Sequence, residues 1–175
     1  NRYSGVSIDS RTVKPTDLFV AIKGAHFDGN EFVPEVIKKG VQTVVVDNDF
    51  SAEQIKNMPD QVSVIKVADG VTALGDLAKW WRAKFSSPCV AITGSNGKTT
   101  TREMAAAIAS AKGQVLKTQG NLNNLIGLPL TVFRWTAQDQ IAVLELGMNA
   151  KGEIKRLTDI CQPDVGVITN ITAAH

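Results

Sequence analysis

The chain has 175 residues, 43% of them hydrophobic and 21% charged, an ordinary globular composition with room for one large or two small domains. Nineteen basic and seventeen acidic side chains leave a formal net charge of +2, and no basic run exceeds Lys38-Lys39, which argues against a nucleic-acid partner. No apolar stretch approaches the roughly 20 residues of a membrane-spanning helix, and there is no charged-then-apolar leader.

Cys89 and Cys161 stand singly, without metal-ligand spacing, and read as buried thiols in a soluble, reducing, cytoplasmic protein. The first residue, Asn1, is not a methionine, as in a processed fragment. Short β-rich runs alternate with helical patterns almost throughout. Residues 6–8, 18–22, 43–46 and 62–67 read as strands, and residues 31–39 as a helix with Phe32, Val36 and Ile37 on one face and Gly40 as its stop. Val71, Leu74, Leu77, Trp81 and Phe85 recur at three- and four-residue steps, one face of a long amphipathic helix. Trp80, Trp81 and Trp135 are assigned to packing.

The Ser86-Ser87-Pro88 break ends that helix, and a domain boundary is expected at residues 84–88. Beyond it, strands at 89–93, 114–117, 141–146 and 165–171 alternate with helices at 99–111, near 125–133 and at 153–160, the repeat that builds a parallel sheet. The expected fold is α/β: a small N-terminal α/β domain, residues 1–85, then a domain of residues 86–175 with a mainly parallel sheet. Because His175 follows a core strand by only four positions, this second domain is expected to be incomplete.

The residues Cys89-Val-Ala-Ile-Thr-Gly-Ser-Asn-Gly-Lys-Thr-Thr100 run from a strand through a small-residue turn into a helix. Such a turn is a phosphate-binding loop, because Gly94 and Gly97 allow close backbone approach and the helix start supplies unpaired N–H groups. Lys98 can reach the β- and γ-phosphates of a nucleotide, and the Thr99 hydroxyl can ligate magnesium. The spacing departs from the strict G-x-x-x-x-G-K-[ST] pattern, since Ile92 occupies the place of the first glycine, and a merely structural turn is the alternative.

Glu145 interrupts the apolar run 141–147. A carboxylate there costs several kcal/mol unless paired, so it is either a magnesium ligand at the carboxyl end of a parallel strand or one half of an ion pair. His175 also lies past a strand end on the same edge, although a lone histidine in such a place is more often structural. Residues 120–124, Gly-Asn-Leu-Asn-Asn, suit a turn followed by a helix cap. Asp9-Ser10-Arg11 and the loop 23–30 are polar strand exits that offer an arginine and backbone amides to a phosphate or a uracil-like edge, with ordinary loop chemistry as the alternative.

Taken together, these segments resemble the Mur ligase family of peptidoglycan synthesis. The resemblance rests on Asp9-Ser10-Arg11, residues 17–24, Phe27-Asp28-Gly29, residues 92–100, residues 120–124, Gly127-Leu128-Pro129, residues 145–149, and residues 168–171 through Ala174-His175, in family order over the whole chain. The segments 121–124 and 145–149 resemble the type that adds D-alanyl-D-alanine to UDP-N-acetylmuramoyl-tripeptide. The T-G-[ST]-x-G-K-T form of residues 93–99 is the family's own variant of the phosphate loop.

What the resemblance implies is an N-terminal domain for the UDP end of the substrate, a P-loop ATPase domain, here partial, and a C-terminal domain, here absent. It implies ATP and Mg2+ as cofactors, with ATP held by Gly94, Ser95, Asn96, Gly97, Lys98, Thr99 and Thr100. Metals fall to Thr99, Glu145 and His175, the catalytic set to Lys98, Glu145 and His175, the UDP moiety to Ser10 and Arg11, and contacts near the reacting groups to Asn121 and Asn124. The implied partners are UDP-N-acetylmuramoyl-tripeptide and D-alanyl-D-alanine, in a monomer without nucleic acid or membrane span. The substrate carboxylate would attack the γ-phosphate to give an acyl phosphate that the amine displaces, and this chain alone is expected to be inactive.

Alternatives are another Mur-type or folylpolyglutamate-type amide ligase, and a non-catalytic nucleotide- or UDP-sugar-binding module. A P-loop GTPase or small-molecule kinase would share the loop, but the guanine-reading N-K-x-D run is missing.

Overall fold

A computed structural model describes residues 3–24 and 27–172, in two compact units that divide between Leu74 and Gly75. In the first unit, β1 (Gly5–Ser7), β2 (Asp17–Val20), β3 (Thr43–Val46) and β4 (Ser63–Lys66) form a wholly parallel sheet in sequential order. Register is set by pairs such as Val6 with Leu18, Phe19 with Val44 and Val45 with Ile65. The core of this unit gathers Phe19, Val44 and Val46 with Val33, Val36, Val41 and Phe50.

The helix expected at 31–39 is divided. A 3-10 turn, Gly29–Phe32, is capped by the Asp28 side chain, which accepts from the Asn30 N–H, and α1 then runs Val33–Lys38. Pro34 explains the division: a proline fits only the first turn of an α-helix, so α1 proper cannot begin earlier. A second helix, α2 (Ala52–Lys56), was not anticipated. It opens on a reciprocal cap in which the Gln54 N–H donates to Ser51 Oγ and the Ser51 N–H to Gln54 Oε1.

Helix α3 (Gly70–Arg82) contains the division between the units, whereas the sequence suggested a boundary at 84–88. Packing is the reason: Ala78, Trp81 and Phe85 join the core of the second unit, and Trp81 Nε1 donates to the Trp135 carbonyl at 3.2 Å. Trp80, one step round the helix, is instead 57% exposed beneath the Lys84 ammonium.

The second unit holds β5 (Cys89–Thr93), α4 (Lys98–Ser110), β6 (Gln114–Lys117), α5 (Gly127–Val132), β7 (Asp139–Glu145), α6 (Glu153–Cys161) and β8 (Val165–Ile168). Its four strands are all parallel, in the order β6-β7-β5-β8. The chain leaves β5 for β6 in one direction and returns through β7 to β8 in the other. Right-handed crossovers therefore put α4 on one face and α5 and α6 on the opposite one. The core reflects this: Ile92 and Val143 meet Ala106 of α4, while Ala91 and Leu144 meet Leu157, Ile160 and Trp135. Cys89 and Cys161 are both fully buried free thiols, and the hydrogen bond between them, together with burial, pushes the Cys89 thiol far up. No helix of the described residues is long and apolar enough to cross a membrane.

Candidate active site

The carboxyl ends of β5 and β7 lie side by side, Ile92 registered with Glu145, so the loop after β5 and the carboxylate of β7 share one edge of the sheet. The connections leaving these two neighbouring strands, α4 after β5 and α6 after β7, also run over opposite faces of the sheet, and in open α/β sheets such a switch point is where ligands bind.

The loop of residues 94–97 turns on two glycines with left-handed or otherwise positive φ, +136° at Gly94 and +80° at Gly97. A side chain on Gly94 would strike Thr169 Oγ1 at 2.2 Å, because the segment after β8 lies against the loop. A side chain on Gly97 would meet nothing within 4 Å, so its open face is free for a ligand to approach. That loop is braced from β8: the Ser95 and Asn96 N–H groups donate to the Asn170 carbonyl and Oδ1, and Thr169 Oγ1 donates to the Asn96 carbonyl at 2.6 Å. This bracing is why β8 stops at Ile168 and not at the expected 171.

Helix α4 begins at Lys98 with Gly97 as its cap and no side-chain hydrogen bond on its first N–H groups, which leaves a positive helix end open to an anion. Thr100 lies exposed in that first turn. The Lys98 ammonium donates to the Gly94 carbonyl at 2.7 Å and the Ser95 carbonyl at 3.3 Å, folded over its own loop.

Glu145 is 3% exposed and its carboxylate is fully engaged. Oε2 accepts from Thr99 Oγ1 at 3.0 Å and from Arg102 Nη1 at 3.1 Å, Oε1 accepts from Asn123 Nδ2 at 2.8 Å, and the Glu145 N–H donates to Thr118 Oγ1 at 2.9 Å. Glu145 thus has an ion-pair partner in Arg102 and also touches the Thr99 hydroxyl at the end of the phosphate loop.

Asn124 caps α5, its Oδ1 accepting from the Ile126 and Gly127 N–H groups. Asn121 is exposed on the same loop. The amide that reaches Glu145 is Asn123, which the sequence did not single out. In the first unit, Lys39 Nζ donates to the Ser10 carbonyl at 2.6 Å, and Arg11 holds the Asp9 carboxylate with Nε at 2.9 Å and Nη2 at 2.7 Å. His175 lies outside the described residues.

These residues suit a magnesium nucleotide. Thr99 donates its only proton to Glu145, so its lone pairs remain for a cation. No group of three or more His, Cys, Asp or Glu side chains is poised for a metal among the described residues. Magnesium, which takes one or two carboxylates and completes its shell with water and phosphate oxygens, needs no such cage.

A parallel sheet with an open glycine loop leading from its central strand into a helix, and a buried carboxylate on the neighbouring strand, defines a phosphate-loop α/β protein. Residues 2–82 match the Mur ligase family, catalytic domain, and residues 92–175 the Mur ligase middle domain. The chain belongs to the Mur ligase family.

Over 171 residues it is 44% identical to the UDP-N-acetylmuramoyl-tripeptide--D-alanyl-D-alanine ligase of Bacillus subtilis (strain 168), a match covering 98% of this chain and 36% of the relative. The crystal structure of MurF from Acinetobacter baumannii superposes with a TM-score of 0.86 at 38% identity, over 98% of this chain and 36% of that one. MurF ligase from Thermotoga maritima, determined in complex with ADP, gives 0.85 at 34% identity over 97% and 38%. The chain thus spans little more than a third of the relatives it matches.

Proposed function

We propose that the chain carries the uridine-nucleotide-binding and ATP-binding parts of a cytoplasmic ligase that joins D-alanyl-D-alanine to UDP-N-acetylmuramoyl-tripeptide. The observation that carries this reading is the Thr99 hydroxyl on Glu145 at 3.0 Å, at the mouth of an uncapped phosphate loop, in a chain 44% identical to a ligase of that name. The first unit, residues 1–74, is then the substrate-binding part and the second, residues 75–175, the ATP-binding part, with Ser10 and Arg11 toward the UDP moiety.

The chemistry requires a carboxylate and a polyphosphate to meet, so the site must supply positive charge. Lys98 would exchange the carbonyls of Gly94 and Ser95 for phosphate oxygens, and the first N–H groups of α4 would face the same anion. Thr99, Glu145 and His175 would hold magnesium, which when bound neutralises charge on the transferring phosphoryl group. The substrate carboxylate attacks the γ-phosphorus, ADP leaves, and the amine of D-alanyl-D-alanine displaces phosphate from the acyl phosphate. Asn121 and Asn124 lie on the loop nearest Glu145 and are the proposed contacts to the reacting end.

Lys98→Ala tests the reading in the full-length ligase. Losing a charge-assisted contact worth about 1.5–3 kcal/mol should weaken ADP binding at least tenfold and abolish ligation, with the thermal midpoint unchanged. ADP affinity and ligation that both survive the substitution would overturn it.

A further inference from the structure

Arg102 plays no part in the chemistry above, yet it is 4% exposed and its guanidinium is spent on three separate segments. Nη1 donates both to Glu145 Oε2 and to the Gly120 carbonyl, each at 3.1 Å. Nε and Nη2 donate to Glu103 Oε1 at 3.2 and 2.6 Å, and the other Glu103 oxygen accepts from Lys117. Those three segments are the helix of the phosphate loop, the end of β7 and the loop that bears Asn121, Asn123 and Asn124.

Stability alone is a poor reason for such a group, because a buried ion pair often contributes no more than an apolar replacement would. Geometry offers a better one. Arg102 stands three residues after Thr99 and four after Lys98, on the same side of α4, so whatever it grips is held in register with the phosphate loop. Only the planar fork of arginine can donate at once to a carboxylate, a carbonyl and a second carboxylate; lysine is a point charge.

We propose that Arg102 is a positioning residue: it holds the Glu145 carboxylate and the 120–124 loop at fixed places relative to Thr99, so that the metal of a bound nucleotide meets preset oxygens. The proposal rests on the reading of Glu145 and Thr99 as the metal-holding pair. Groups behind a metal ligand typically change metal affinity by about tenfold to a hundredfold when altered.

Mn2+ binding in the presence of ADP, followed by electron paramagnetic resonance in the full-length ligase, measures this without turnover. Arg102→Lys and Arg102→Gln should each weaken Mn2+ by about tenfold or more and raise the apparent KM for Mg2+ in ligation. UDP affinity should stay as in the unsubstituted protein. Glu145→Gln should weaken Mn2+ binding on its own, and adding Arg102→Lys to it should bring no further loss, since Arg102 acts through Glu145.

Full additivity in that double variant would overturn the proposal, as would unchanged Mn2+ affinity in Arg102→Lys. So would a loss confined to whichever variant also lowers the thermal midpoint, since that marks a purely structural role. Unchanged Mn2+ affinity in Glu145→Gln is a different failure, that of the metal-holding pair itself, and it removes the basis for Arg102 with it.

Discussion

At Asp9 the electrostatics are mainly local, with a smaller contribution from the Lys39 charge. The Arg11 fork donates to its carboxylate from two residues away and holds it down to about 2. A carboxyl group lowered in the folded state stabilises it above the ordinary aspartate range, and that contribution is lost as pH falls toward 2. Arg11→Ala should therefore return the Asp9 pKa toward about 3.9, read by NMR titration of its carboxyl carbon. A value still near 2 would show that the Arg11 N–H, also bonded to Asp9, is sufficient alone. Glu145 illustrates the opposite range. Its need for partners was legible, because a carboxylate in an apolar strand cannot stand alone. Which partners it takes was not, since Asn123 and Arg102 lie 22 and 43 residues away in sequence and the pairing of β7 with β6 on one side and β5 on the other brings them to it.

Among the elements, the long periodic helices and strands such as β3 and β6 matched expectation, and the short helices α1 and α2 did not. Helix α2 buries no residue, so no apolar stripe announces it, yet the pattern Ser51-Ala52-Glu53-Gln54 is a capping box and was the available signal. The end of α6 depends on a residue from another element. Arg82 of α3 donates to the Cys161 carbonyl at 2.9 Å and the Phe85 carbonyl at 2.6 Å, and stacks 4.3 Å from the Trp135 ring centroid. Phe85 lies on the same tryptophan at 6.0 Å and 10°. Arg82→Ala should leave the buried Cys161 carbonyl unpaired and cost about 2–4 kcal/mol, seen as a lower urea midpoint with an unchanged slope. Because none of these atoms lies near the phosphate loop, ADP affinity below the transition should not change.

For the whole molecule, the chain covers little more than a third of its relatives, and the site it carries is one edge of one sheet. The 175-residue chain should accordingly bind ADP with Mg2+, measured by titration calorimetry. It should release no phosphate that depends on both UDP-N-acetylmuramoyl-tripeptide and D-alanyl-D-alanine. Robust release needing both would show the edge to be sufficient by itself. From sequence alone came the phosphate loop, the isolated carboxylate, the alternation of strand and helix, and hence the family. Each is written in local pattern: glycine where φ must be positive, apolar residues at helical or strand period, a charge where apolar residues are expected. Tertiary structure decided the rest: that β7 lies beside β5, that Asn170 and Thr169 brace the loop, that Asn123 and not Asn124 reaches Glu145, and that Arg102 grips it. Those choices are made by strand order and close packing between distant segments, and no local pattern encodes them.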